Sequence, residues 1–243
     1  MTEKVSLIIP MNGLGERFLD HTETPKPLIK INNREMIFWL LDHLVLSRVS
    51  QIIIPYNSVL DNYGFEEKIQ ARYPSTLFRL IPLQYRTTGA AATINVALEH
   101  IPESELKTKF MIMDCDTFYY EDVIGDYIAS KASNAIFYFI DSSADEIYSY
   151  ITIENGLVRD IKEKEKISDF ANCGIFCAKD GFSLKKYCYV LQSSSAKQKG
   201  EYYTSGIFAS MVKNKIPVTA LEVGSFECVG TPKQMEDFKR RIV

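Results

Sequence analysis

Over its first 140 residues the chain alternates short apolar runs with amphipathic stretches. Val5 to Ile9 is a continuous apolar run of strand length apart from Ser6, as expected for a strand buried on both faces of a parallel sheet. Met36 to Arg48 then carries Ile37, Leu40, Leu41, Leu44 and Val45 at helical spacing, so one stripe faces a core, and Trp39 is expected to join it. Gln51 to Tyr56 reads as a second strand. The alternation continues with a helix over Gly64 to Arg72, a strand at Phe78 to Leu83, a helix over Ala90 to His100, a strand at Phe110 to Met113, a helix near Glu121 to Ser130 and a strand at Ala135 to Ile140. Strand, helix, strand in this order favours right-handed parallel crossovers. The pattern predicts an α/β fold: a Rossmann-like, doubly wound, mainly parallel sheet covered on both faces.

Beyond Asp141 the rhythm changes. Tyr148 to Glu154 and Leu157 to Ile161 flank Asn155-Gly156, the strongest short hairpin signal, so an antiparallel ribbon is inserted here. A strand at Ala171 to Cys177, a helix over Asp180 to Leu191, a helix over Glu201 to Lys213, a strand at Pro217 to Val223 and a terminal helix over Pro232 to Arg240 follow. The serine- and lysine-rich run from Gln192 to Gly200 is expected to be a mobile surface loop. No linker or repeat divides the 243 residues. We expect a single domain, with residues 1–140 handling one ligand and residues 141–243 the other.

Composition narrows the partners more than the fold. The net charge is −3, with basic residues scattered, which argues against a nucleic-acid binder because that function rests on a basic field. No apolar run reaches the about 20 residues that span a bilayer, and the first residues carry no signal-peptide pattern. The five cysteines form no zinc spacing, as expected for reduced thiols in a cytoplasmic protein. The sequence leaves homo-oligomer formation open.

The chemistry starts where the first strand opens into M-N-G-L-G-E-R-F, residues Met11 to Phe18. Gly13 and Gly15 let the backbone turn and bring bare N–H groups against a phosphate chain, and Arg17 adds a planar, permanently charged fork. Lys26 stands between Pro25 and Pro27, so a stiff, extended segment is expected to project its ammonium. A Walker loop would need G-K-[ST], and a dinucleotide fingerprint a further glycine where Phe18 stands. After the third strand, Thr88-Gly89-Ala90 opens a helix with small residues, and Gly89 permits close approach of a flat nucleobase. Asp114-Cys115-Asp116 ends the fourth long strand, at the edge where ligands sit. Two carboxylates there are suited to Mg²⁺, and residues i and i+2 point the same way. His21, His43 and His100 lie apart from these segments.

Gly13-Leu14-Gly15-Glu16-Arg17 followed by Pro25-Lys26-Pro27-Leu28 resembles the G-x-G-x-R…P-K-P-L signature of the sugar-phosphate nucleotidyltransferases, a GT-A-like fold. The resemblance implies transfer of a nucleoside monophosphate from an NTP to a small phosphorylated metabolite, with release of pyrophosphate. Arg17 and Lys26 would serve the phosphates, and Asp116 would hold Mg²⁺. Met11, Asn12, Gly13, Leu14, Gly15, Thr88, Gly89, Ala90 and Asp114 would line the nucleotide. Ile161-Lys162-Glu163-Lys164 resembles the family's I-x-E-K segment, Asn172-Cys173-Gly174-Ile175-Phe176 its acceptor strand, and Glu201 to Thr204 its E-x-x-T segment. Glu163, Lys164, Asn172, Gly174 and Glu201 would therefore face the acceptor.

Two positions depart from the pattern. Asn12 stands where alanine or glycine is usual, and Cys228 stands where a second metal aspartate is usual. A neutral thiol is a weak Mg²⁺ partner, so Asp114, Glu227 or water would have to substitute. The opening and the G-A-A-A-T segment are most similar to small enzymes of surface-polysaccharide pathways, including the CTP:phosphoglutamine cytidylyltransferase of capsule synthesis, so CTP is favoured. A phosphocholine-type cytidylyltransferase, an NDP-sugar-dependent glycosyltransferase using the Asp-x-Asp, and a regulatory sensor with a decayed metal site are the alternatives.

Overall fold

The structure, a computed structural model, describes residues 3–18, 20–194, 197–198 and 200–242. In chain order the first elements are β1 (Val5–Ile8), the small ribbon β2 (Lys30–Ile31) and β3 (Arg34–Glu35), and α1 (Met36–Asp42). Then come β4 (Val49–Asn57), α2 (Phe65–Arg72), β5 (Phe78–Leu83), α3 (Ala90–Glu99), β6 (Lys109–Met113), β7 (Thr117–Tyr119), α4 (Val123–Ser130) and β8 (Ala135–Ile140). The remainder is β9 (Ser149–Glu154), β10 (Leu157–Glu163), β11 (Phe170–Ala178), α5 (Gly181–Gln192), α6 (Thr204–Lys213), β12 (Thr219–Glu222), β13 (Phe226–Cys228) and α7 (Pro232–Arg241). The expected loop at 192–200 lies partly outside the described residues.

The main sheet runs β5-β4-β1-β6-β11-β8-β12-β10-β9. β5, β4, β1 and β6 are all parallel, as the alternation predicts. Past β6 the sheet is mixed, so mainly parallel pairing holds for only half of it. β11 is antiparallel to both β6 and β8 and separates them, while β12 lies parallel to β8. An apolar run buried on both faces has no sequence mark of its direction, which is why this insertion is not legible in the pattern. The ribbon β9–β10 is present with its two-residue turn. Asn155 and Gly156 both take positive φ, 53° and 74°, as the favoured hairpin turn requires.

Alternate residues of the parallel strands feed two cores. Leu7, Ile52 and Ile54 pack with α1, α2, α4 and α7 on one face, while Ile8, Ile53 and Ile112 pack with α3, α5 and α6 on the other. The sheet is therefore covered on both sides, with Trp39 packed against the first core and its indole N–H bonded to Ile31 O at 3.0 Å. α1 ends at Asp42, earlier than the stripe suggests. His43 closes it by contacting Trp39 O through Nδ1 at 2.7 Å, and Leu46 to Arg48 form a separate 3₁₀ turn. α7 starts on a Thr231–Gln234 capping box with Pro232 in its first turn.

Candidate active site

The carboxyl ends of β1 and β6 meet the loops that carry the motifs, where open α/β sheets bind ligands. A cavity of about 200 Å³ lies there, lined among others by Arg17, Asp114, Asp116, Glu163, Tyr203 and Cys228. A second hollow of about 210 Å³ lies beside it, lined by Asn12, Gly13, Arg86, Thr87, Gly89, Ala90 and Glu201 among others. None of the three histidines lines either one.

The glycine-rich loop is built from its neighbours upward. Met11 extends β1 by one rung: its N–H donates to Pro55 O at 2.8 Å. The Asn12 amide, buried, donates to Tyr85 O at 3.0 Å and Thr87 Oγ1 at 3.2 Å, tying this loop to the one after β5. Gly13 faces open space, and Leu14 points to solvent, 44% exposed. Gly15 takes φ +68° and lets Lys26 pass over it; a Cβ here would fall 2.6 Å from the Lys26 Cβ. The lysine segment corrects one expectation. Lys26 to Leu28 form a 3₁₀ turn closed by Leu28 N–H to Pro25 O at 2.8 Å, so Lys26 sits in a turn and not in an extended strand. The turn's hydrogen bond outweighs the usual bias against helical dihedrals before proline.

That turn delivers the Lys26 ammonium to the Asp116 carboxylate, with which it forms a hydrogen-bonded ion pair. Burial opposes both charges. Each partner overcomes it for the other, so the Lys26 pKa is held above the ordinary lysine value and that of Asp116 below the ordinary carboxylate value. Arg17 differs: among the described residues no carboxylate or carbonyl bonds its guanidinium, and it lines the cavity facing Asp114, Asp116 and Glu163. Arg17 therefore lines the cavity, and Lys26 adjoins it through its pair with Asp116.

Asp114 opens into the same cavity. Its carboxylate is reached by solvent, yet the crowded cavity around it and the Asp116 charge disfavour the ionised form, so its pKa is pushed up to about 7. Both carboxylates are seated on glycine. A Cβ on Gly174 would lie 3.0 Å from Asp114 Oδ2, and one on Gly230 2.7 Å from Asp116 Oδ2. Asn172 and Gly174 build this seat: the buried Asn172 amide donates to Phe137 O and Ile175 O and accepts from Gly174 N–H at 2.9 Å, and Gly174 O accepts from Asp114 N–H. The Asn172 amide is thereby spent on the bulge in β11.

Glu163 and Lys164 stand across the cavity. Burial raises the Glu163 pKa, while a 2.8 Å bond from Ser205 Oγ and the nearby Lys164 charge pull it back. Lys164 donates to Tyr203 OH at 2.9 Å and lies 4.3 Å from the centre of that ring. Glu201, placed on the acceptor side by the resemblance, lines the smaller hollow with Gly13 and Gly89, and pairs with Arg86 at 3.3 Å. Arg86 also donates to Glu16 at 2.6 Å, joining the glycine-rich loop to the chain before α6.

At the start of α3 the close approach that Gly89 allows is to protein backbone. A Cβ there would fall 2.6 Å from Tyr202 O, Ala91 N–H donates to that oxygen at 3.0 Å, and Tyr202 N–H donates to Thr88 O at 2.8 Å. One amide of the helix start is therefore taken, while Thr87, Gly89 and Ala90 still face the hollow. Sequence reasoning missed Arg86, Ser205, Tyr148 and Gln234, which belong to no motif. Ser205 is adjacent to the matched Thr204, and Gln234 lies in the first turn of α7.

No protein-family model matches this sequence, and neither does any curated protein. Solved structures do match the fold across nearly the whole chain. A nucleoside-diphosphate-sugar pyrophosphorylase from Vibrio cholerae RC9 has a TM-score of 0.85 at 17% identity, covering 96% of this chain and 99% of that one. The inositol-1-phosphate CTP transferase from T. maritima has a TM-score of 0.76 at 14% identity, covering 99% and 97%. A UDP-glucose pyrophosphorylase complexed with UDP-glucose gives 0.77 at 16%, covering 98% of each chain. At these identities the likeness establishes the fold, and it is the fold that the G-x-G-x-R…P-K-P-L resemblance implies.

Proposed function

We propose that this protein is a nucleotidyltransferase that joins a nucleoside monophosphate from an NTP, with CTP favoured, to a small phosphorylated acceptor such as a sugar phosphate or phosphoglutamine. The observation that carries the reading is that Arg17, with no hydrogen-bonded partner among the described residues, lines one cavity with Asp116, which holds Lys26, beside an open Gly13. Two polyanions need such a place, because they repel each other in water and must be brought into line before any bond can form.

A phosphate oxygen of the acceptor attacks the α-phosphorus, forming a new P–O bond as the bond to the β-phosphate oxygen breaks and pyrophosphate departs. The acceptor is already an anionic nucleophile near neutral pH, so no histidine base is needed. Arg17 and the Gly13 to Gly15 amides meet the charge that accumulates on pyrophosphate, and Lys26 takes the α-phosphate as it moves off Asp116. Lys164 and Glu163 hold the acceptor's phosphate and hydroxyls. Glu201, through Arg86, keeps the glycine-rich loop against the nucleoside hollow.

Mg²⁺ fits the donors present. No three histidine, cysteine or acidic side chains form a preformed cluster among the described residues, and Mg²⁺ binds through one or two carboxylates together with substrate phosphates and water. Asp116, seated on Gly230 where a Cβ would fill the space, would hold it. When bound, the ion neutralises phosphate charge.

The fold neighbour described as a CTP transferase supports the CTP preference. The test is pyrophosphate release from each of the four NTPs with Mg²⁺ against a panel of phosphorylated sugars, amines and amides. Release with CTP and one phosphomonoester is expected. Consumption of an NDP-sugar without pyrophosphate release would put the protein among glycosyltransferases, and no turnover on any pair would favour a sensor.

A further inference from the structure

Cys228 cannot serve as a metal carboxylate. Its thiol is packed against Gly230 and directed at Gln234 Oε1, 3.7 Å away. Glu227, the neighbouring acid, is engaged elsewhere: its Oε2 accepts from Arg241 Nη2 at 2.5 Å, on the opposite side of β13. Asp116 has one oxygen committed to Lys26 and the other near Thr117 Oγ1 at 3.4 Å. Glu163, the other acid lining the cavity, accepts from Ser205 and pairs with Lys164, which leaves Asp114. Among the described residues no donor bonds its carboxylate, and it lines the same cavity as Asp116 from the turn that follows β6, where the absence of a side chain on Gly174 leaves it room.

From these placements, and resting on the nucleotidyltransferase reading, we infer that Asp114 supplies the second carboxylate of the divalent-cation site. It replaces the aspartate that the family pattern would place at 228. Asp114 and Asp116 would together hold the cation, and the β13 strand would contribute shape but no ligand. Two carboxylates two residues apart suffice for Mg²⁺, since phosphate oxygens and water complete its shell.

The test is Mn²⁺ binding followed by EPR on the intact protein, with and without inorganic pyrophosphate, for the wild type, D114N, C228S, C228D and D114N/C228D. We expect D114N to weaken Mn²⁺ binding about 10-fold or more, as loss of one of two hard oxygen ligands should, and C228S to leave it unchanged. In D114N/C228D the carboxylate returns from the β13 side, and most of the affinity returns with it. Thermal unfolding of each variant separates loss of a ligand from loss of the fold. Wild-type affinity in D114N, or loss of affinity in C228S, would overturn the assignment while leaving the reaction class standing. Failure of the wild type to bind Mn²⁺ with pyrophosphate would overturn both.

Discussion

The two ends of the cleft hold their charges in different ways. At the nucleotide end Lys26 is locked to Asp116 with both side chains mostly buried, 20% and 16% exposed, and Gly15 is shaped around the lysine. At the acceptor end Lys164 and Glu163 form a longer ion pair, 3.6 Å apart, and each also bonds a neutral hydroxyl, that of Tyr203 and of Ser205 respectively. A buried ion pair is expensive to break on one side only, whereas a hydroxyl can turn from one partner to another at small cost. One end is therefore held by a short, hydrogen-bonded ion pair. The other combines a longer ion pair with hydroxyls that can turn, and so is the more adjustable.

Arg17 gives the largest effect by which this contrast can be broken. Among the described residues it has no hydrogen-bonded partner to lose, so R17A should leave thermal stability almost unchanged while lowering turnover ~10²–10³-fold, about 3–4 kcal/mol of barrier. Near-full turnover in R17A would remove the triphosphate from this end. Lys26 should behave in the opposite sense. K26A leaves the Asp116 charge buried and alone, at a cost of about 2–3 kcal/mol after allowing for the partial exposure of the pair. K26A/D116N should recover most of that stability in urea unfolding but none of the turnover. If the double variant is no more stable than K26A, the pair does not act as a lock.

Gly15 sharpens the comparison at a smaller cost. G15A forces a left-handed residue and displaces Lys26, and it should destabilise the protein by about 1–2 kcal/mol. Its KM for the NTP should rise while that for the acceptor stays level, as read from initial rates. Among the described residues no glycine stands against Lys164, while Gly174 and Gly230 approach the Asp114 and Asp116 carboxylates.

Much of this contrast was legible in the sequence, but unevenly. β1, its loop, the Asp114–Asp116 strand end and the Asn155-Gly156 hairpin could be read because each couples a periodicity to residues with special backbone demands. The ribbon of β7 and β13 could not, since three-residue strands carry no periodicity, and it is this ribbon that brings Cys228 beside Asp116. The reversed β11 escaped for lack of any mark of direction. Glu201 was matched to a segment, but its side depends on the Thr88–Tyr202 backbone bonds, which no local pattern encodes. The Lys26 turn departs from the extended expectation because the preference before proline is only a bias, within reach of one hydrogen bond.

Ser205 offers the smallest effect and the sharpest division of the cleft. Its hydroxyl donates to Glu163 Oε2, favouring the charged form of a carboxyl whose pKa burial has raised. Removing that bond in S205A raises the Glu163 pKa further, because the ionised state loses a donor that the neutral state needs less. If ionised Glu163 holds the acceptor's hydroxyls, the acceptor KM climbs as pH falls through that pKa, and in S205A the climb begins at higher pH. Near neutral pH the lost bond to a charged group is worth about 1 kcal/mol, roughly fivefold in acceptor KM. The NTP KM should not move, since the Lys26–Asp116 lock and the glycine-rich loop do not depend on Ser205. Initial rates over a pH series at fixed, saturating NTP decide it. An S205A variant whose two KM values shift together would show that the ends are coupled and that the adjustable end is not independent of the fixed one.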